Sequence, residues 1–305
     1  MKKYFSSLLI GVFAFVLFSQ SVFASFYDVK DSAQTKAIDW FQRMVILDGY
    51  NDGTFRPDND VTRAEFLKIF YETQGPEDVE IELPFKDIEK SAWYIKYLKQ
   101  AYKNNVIKGY DDGTFRPNDP ISVAEASKIV GDGFFDVEAL FGSAKSLYKC
   151  SEKNVPRYVE WYGKYFSVLD SMCLISSDGF EENVFLPNAK MTRGGVAVLV
   201  YKAKVSSDNG NKKYSDNLVP KYLPEKGAFI VASGEAICLI YQTENVEDIF
   251  GAEFEKEVKA IYEKYGFDSD DEAAFDILDS KYGQDPDVKF AMEIEVARCS
   301  KDFLQ

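Results

Sequence analysis

The sequence predicts an all-α, mainly helical protein: three helix-loop-helix repeats sharing one core, followed by a small C-terminal helical bundle. Three observations predict it. The nonapeptide Gly49-Tyr50-Asn51-Asp52-Gly53-Thr54-Phe55-Arg56-Pro57 returns 60 residues later as Gly109 to Pro117, with only Asn51 changed, to Asp111. Apolar residues flank both copies at spacings of three and four, the period of a helix with one buried face. Thr62 with Glu65, and Ser122 with Glu125, have the spacing of a capping box that opens a second helix.

From the N-terminus, Lys2 and Lys3 precede the apolar run Leu8 to Phe18, and Val22-Phe23-Ala24 supplies small residues two apart. This is the pattern of a secretory signal peptide over residues 1–24, too short for a comfortable transmembrane span. No transmembrane segment is expected in the mature chain.

The repeats are expected at about 26–73, 85–131 and 158–205. In the first helix of each, Ile38, Phe41, Met44 and Val45, then Tyr94, Leu98, Ala101 and Tyr102, then Tyr165, Phe166, Leu169 and Cys173 form the apolar face. Gly49 and Gly53 give the loop its backbone freedom, and Pro57 and Pro117 stop any preceding helix. Ala64, Leu67, Ile69 and Phe70 face the second helix inward. Tyr50, Tyr110, Phe55 and Phe115 are expected in the core, whereas Asp28 and Asp87 either cap the first helix or hold the loop. The third copy is worn: Trp161-Tyr162 answers Trp93-Tyr94, and Met191-Thr192-Arg193 answers Val61-Thr62-Arg63. Its turn, Ser176 to Phe180, has lost the pattern. One such unit cannot bury both of its helices, so the three are expected to pack together.

Residues 206–227 are polar and read as a linker, and residues 228–305 as a helical domain of unknown role. There Phe254, Val258, Ile261 and Tyr262 make an apolar stripe. Four cysteines in an exported chain fit two disulfides, for which Cys150–Cys173 and Cys238–Cys299 keep each bridge within one domain.

Composition narrows the function. There is no His, which removes Ser-His-Asp and Cys-His catalysis and His-ligated metal sites. With 50 acidic and 36 basic residues the formal charge is −14, which repels nucleic acid and anionic lipid. The Asp52-Gly53 turn does not fit an EF-hand, since Tyr50 and Asn59 would fall on ligand positions. Neither a metal nor a cofactor is expected.

Phe-x-Asp-Val, a Trp in the first helix, Gly-Tyr-x-Asp-Gly-Thr-Phe-Arg-Pro and Thr62-Arg63-Ala64-Glu65 together resemble the S-layer homology (SLH) domain, over about residues 26–205. The resemblance implies a pseudo-threefold bundle with grooves between repeats. It also implies non-covalent anchoring of a secreted protein at the cell wall or cell surface, through wall polysaccharide, commonly a pyruvylated secondary wall polymer. Arg63 is the motif residue that the cap does not explain, and a guanidinium beside free helix N–H groups suits a carboxylate. Arg193 matches it in the third repeat, and Val123 replaces it in the second. Arg56 and Arg116 flank the loops and face either a groove or water. Trp93 and Trp161 are either sugar-stacking platforms or core residues, the commoner place for a Trp on an amphipathic helix.

Two classes of function remain. One is a non-enzymatic wall-anchored envelope protein whose C-terminal helices contact a protein partner. The other is an exported carbohydrate-active enzyme with its chemistry in residues 228–305, since a carboxylate pair needs no His. The first is expected, because no catalytic spacing stands in that region.

Overall fold

The computed structural model describes residues 26–144, 150, 160–175, 186–215, 218, 220, 223, 225–243 and 251–268, and 277, 278, 280–282, 285, 288, 291 and 292. The expected signal peptide, the third-repeat turn 176–180 and Cys299 lie outside them. The described residues are mainly helical, as the sequence predicts, and fall in two compact units, divided along the chain between Glu225 and Lys226.

In the first unit, α1 (Ser32–Arg43) opens at Asp31, whose carboxylate accepts from the Gln34 N–H. Helix α2 (Arg63–Gln74) and helix α4 (Val123–Phe134) both start with complete capping boxes, on Thr62 with Glu65 and on Ser122 with Glu125. Helices α3 (Ile95–Lys103) and α6 (Gly163–Ser171) are the first helices of the second and third repeats. Helix α5 (Val137–Ala144) follows the second repeat, where the first repeat is followed by coil. Helix α7 (Arg193–Asp208) begins at Thr192, with Gly195 in place of the capping Glu.

The repeats interlock in a cycle. Each second helix packs against the first helix of the following repeat: α2 on α3, α4 on α6, and α7 back on α1. At the centre the chain closes a ring of backbone hydrogen bonds. Val61 N–H donates to Met191 O (3.0 Å), Met191 N–H to Ile121 O (2.9 Å), and Ile121 N–H to Val61 O (2.9 Å). This ring gives the worn third copy the same place as the other two. Phe41, Phe55, Phe66, Phe70, Phe115 and Phe166 are fully buried among the helices.

Each first helix ends the same way, in a residue at positive φ: Val45 (51°), Asn105 (58°) and Cys173 (59°). In the third repeat that residue is bonded to Cys150, Cα to Cα 5.2 Å, as expected from the sequence. Cys238 is also disulfide-bonded.

In the second unit, α8 (Glu225–Gln242) and α9 (Ala252–Lys264) bury Ala232 and Ala236 against Phe254, Val258 and Tyr262, the predicted stripe. A hydrogen bond joins Ser233 Oγ and Tyr262 Oη (3.1 Å) inside that contact. None of the described helices is long and apolar enough to cross a membrane.

Candidate functional site

Each intact loop is a folded unit locked by one aspartate. Asp28 accepts from the Phe55 and Arg56 N–H groups at 2.9 and 2.7 Å, and Asp87 does the same for Phe115 and Arg116 at 2.8 and 2.7 Å. Of the two sequence readings, these aspartates therefore hold the loop. The ring of Phe26 lies against Gly49, and that of Phe85 against Gly109, where a Cβ would collide with it. Inside the loop, Asp52 accepts from the Thr54 N–H and hydroxyl and pairs with Arg56 (2.9 Å), and Asp112 repeats the pattern with Thr114 and Arg116 (2.9 Å). Those hydrogen bonds, led by the one from the threonine hydroxyl, hold both carboxyls down at about 2. Arg56 and Arg116 also lie over the Tyr50 and Tyr110 rings, 3.8 and 3.9 Å from their centroids. They close their own loops.

The helix N-termini are occupied, contrary to the expectation of free N–H groups. Arg63 and Ala64 donate to Asp119 O and Pro117 O, Val123 and Ala124 to Ala189 O and Pro187 O, and Arg193 and Gly194 to Asn59 O and Pro57 O, all at 2.8–3.0 Å. Neighbouring loops thus satisfy the first two of the four donors that each of these helix starts presents.

The motif arginine follows its backbone into the neighbouring repeat. Arg63 is 5% exposed and donates from Nε to Phe115 O (2.9 Å). It pairs through Nη1 with Glu125 (2.6 Å), which also accepts from the Tyr110 hydroxyl (2.5 Å). Burial raises the Glu125 pKa, but Arg63, Tyr110 and Ser122 outweigh it and hold the carboxyl below its usual value. The Tyr110 hydroxyl is pushed up to about 12 by burial and by its bond to Glu125.

Arg193 makes the matching reach from the third repeat to the first, donating from Nε to Phe55 O (3.1 Å) and from Nη2 to Asp48 O (2.9 Å). Its guanidinium lies 5.4 Å from the Tyr50 ring centroid, on a ring already stacked by Arg56. Here the two arginines differ. Among the described residues no carboxylate pairs with Arg193, and burial lowers its pKa, offset in part by Tyr50, Glu65 and Asp48. Tyr50, expected in the core, is 38% exposed beside Arg193.

The tryptophans stand outside the core. Trp93 is 55% and Trp161 54% exposed, each packed edge-on against the tyrosine that follows it. Of the two readings for these residues, the core one does not hold. The partners of Arg63 and Arg193 were missed by sequence reasoning, although one signal was present. Val123, the repeat that lacks the arginine, faces the repeat whose loop has lost its motif.

Comparison with known families bears out the resemblance for the first two copies: residues 25–67 and 84–127 match the S-layer homology domain. The chain is 38% identical over 112 residues to a cellulosome-anchoring protein of Acetivibrio thermocellus, covering 35% of this chain and 25% of that one. It is 28% identical over 162 residues to cell surface glycoprotein 1 of the same organism, 52% of this chain and 7% of that one. Exoglucanase XynX, also from A. thermocellus, is 26% identical over 185 residues, 61% of this chain and 17% of the enzyme. The chain therefore spans a quarter or less of the length of these relatives.

Proposed function

We propose that this chain is an exported, non-enzymatic cell-surface protein that holds an acidic cell-wall polysaccharide non-covalently, with Arg193 as the principal contact. The coarser part rests on the two S-layer homology segments, a module that anchors rather than catalyses, and on surface-anchored proteins among the similar chains. The finer part rests on one observation. Arg63, Arg56 and Arg116 each form an ion pair with a carboxylate, whereas Arg193 is half-buried and, among the described residues, feels Glu65 and Asp48 only from beyond ion-pair distance. Its Nε and Nη2 are held by carbonyls, which fixes the guanidinium plane; Nη1 is the donor this reading assigns to an incoming anion.

A carboxylate or phosphate on the polymer supplies the missing charge at short range, which a protein of formal charge −14 needs because its long-range field is repulsive. A charge-assisted hydrogen bond contributes about 1.5–3 kcal/mol, so Arg193→Ala weakens binding by roughly tenfold or more. The test is co-sedimentation of the mature chain with isolated sacculi, well below its melting temperature. Equal affinity of parent and variant would overturn the role of Arg193.

A further inference from the structure

The first two repeats fasten the chain ahead of each first helix to the loop behind it. The Phe26 ring lies against Gly49, and Asp28 accepts from two loop N–H groups; Phe85 and Asp87 do the same at Gly109 and the second loop. The third repeat lacks the residues for this. Asp87 and Phe85 precede Trp93 by six and eight residues, and the same count back from Trp161 gives Val155 and Lys153. Gly49 and Gly109 follow Val45 and Asn105 by four residues, where Ser177 follows Cys173. The ring, the carboxylate and the glycine that admits the ring are all replaced in one copy.

A covalent bond joins the corresponding places instead. Cys150 precedes α6, and Cys173 ends it at φ 59°, the position held by Val45 and Asn105. Cys173 is buried, and Leu174 and Ile175 after it are fully buried. Met172 O accepts from the Tyr214 N–H (2.9 Å), so the chain that leaves α7 returns to the same point. The disulfide thus ends inside the packed cycle.

We propose that Cys150–Cys173 is a redox lock on the cycle of repeats: it takes the place of the aspartate fastening in the third copy, and its oxidation sets how firmly α6 and α7 stay in the ring. To form it, the two thiols give two electrons and two protons to an exchangeable disulfide, which leaves as two thiols. In a reducing interior the pair stays open and the ring is loose; it tightens after export. The lock reaches distant contacts because α4 packs on α6, α7 packs on α1, and Val61, Ile121 and Met191 bond one another. The inference concerns how the repeats close and does not depend on what they bind.

The test compares the full mature chain, oxidised and reduced by dithiothreitol, with the variant Cys150→Ser/Cys173→Asn. Asn suits the site because Asn105 takes the same positive φ in the second repeat. The variant keeps the Cys238 bridge, which separates the two disulfides. Losing a bridge across a sequence separation of 23 is expected to lower the melting temperature of the repeats by roughly 6–12 °C. Amide hydrogen exchange should speed up by about tenfold or more at Met191 and Gly194, whose N–H groups donate to Ile121 O and Pro57 O of other repeats. Phe115 and Arg116, held by Asp87, should change by less than about threefold. The reduced parent should show both effects in the repeats and lose them on treatment with oxidised glutathione. If the variant does not fold at all, that reversal decides. A melting shift below about 2 °C, or exchange at Met191 and Gly194 equal to that of the oxidised parent, would overturn the lock. Fast exchange that persists after the Cys150–Cys173 bond has re-formed would overturn it too.

Discussion

Removing the Arg63 side chain should cost the repeat unit far more stability than its place beside a helix cap suggests. Arg63→Ala deletes a charged donor from Phe115 O, a bond of about 1.5–3 kcal/mol. It also leaves Glu125 without its cation. Breaking a fully buried pair costs about 3–5 kcal/mol, but the Glu125 side chain is 22% exposed and water can recover part of that. The two effects share one side chain and do not simply add. A net loss of about 3 kcal/mol is expected, which in a unit of this size lowers the melting temperature by roughly 6–12 °C. Arg63→Lys keeps a charge near Glu125 without the planar fork, and should fall between parent and Ala. Thermal unfolding followed by far-UV circular dichroism is the assay. A shift below about 2 °C for Arg63→Ala would refute the staple and return the residue to the surface.

Val45 adopts φ 51°, where a β-branched residue is strained and the equivalent Asn105 is at ease. Val45→Asn should stabilise by about 1 kcal/mol, and a fall in melting temperature would contradict this. Asp52 and Asp112 titrate at about 2 in the folded chain, and Glu125 is also depressed. Depressed carboxyls contribute stability that is present above about pH 4 and lost as pH falls towards 2; a melting temperature flat down to pH 2 would be inconsistent. Because α7 donates into the first loop and packs on α1, a fragment of residues 25–135 should lose its cooperative transition. Native-like cooperative melting of that fragment would break the cyclic account.

What the sequence shows and what it hides follow from the range of the interactions. Capping boxes and helical periodicity are local, so Thr62/Glu65 and Ser122/Glu125 lie in the structure where spacing puts them. The nonapeptide revealed the loops because their Asp, Gly, Thr and Arg bond mainly within one repeat. The closing ring of Val61, Ile121 and Met191 is made of backbone groups far apart in the chain, which leave no side-chain signature. Arg63 was misread for a related reason. Near it in sequence is a helix start, whereas its carbonyl partner lies 52 residues away. The tryptophans stand just ahead of amphipathic helices, and Tyr97 and Tyr165, four residues on, take the buried positions and leave Trp93 and Trp161 outside. Helix α5 was also hidden, because the repeat pattern does not contain it.

The central claim is that the repeats hold the protein to a wall polymer. Co-sedimentation of the purified mature chain with sacculi, before and after extraction of their acidic polysaccharide, tests it most directly. The chain should pellet with untreated sacculi and remain in the supernatant with extracted ones. Equal pelleting with both, or with neither, would contradict it.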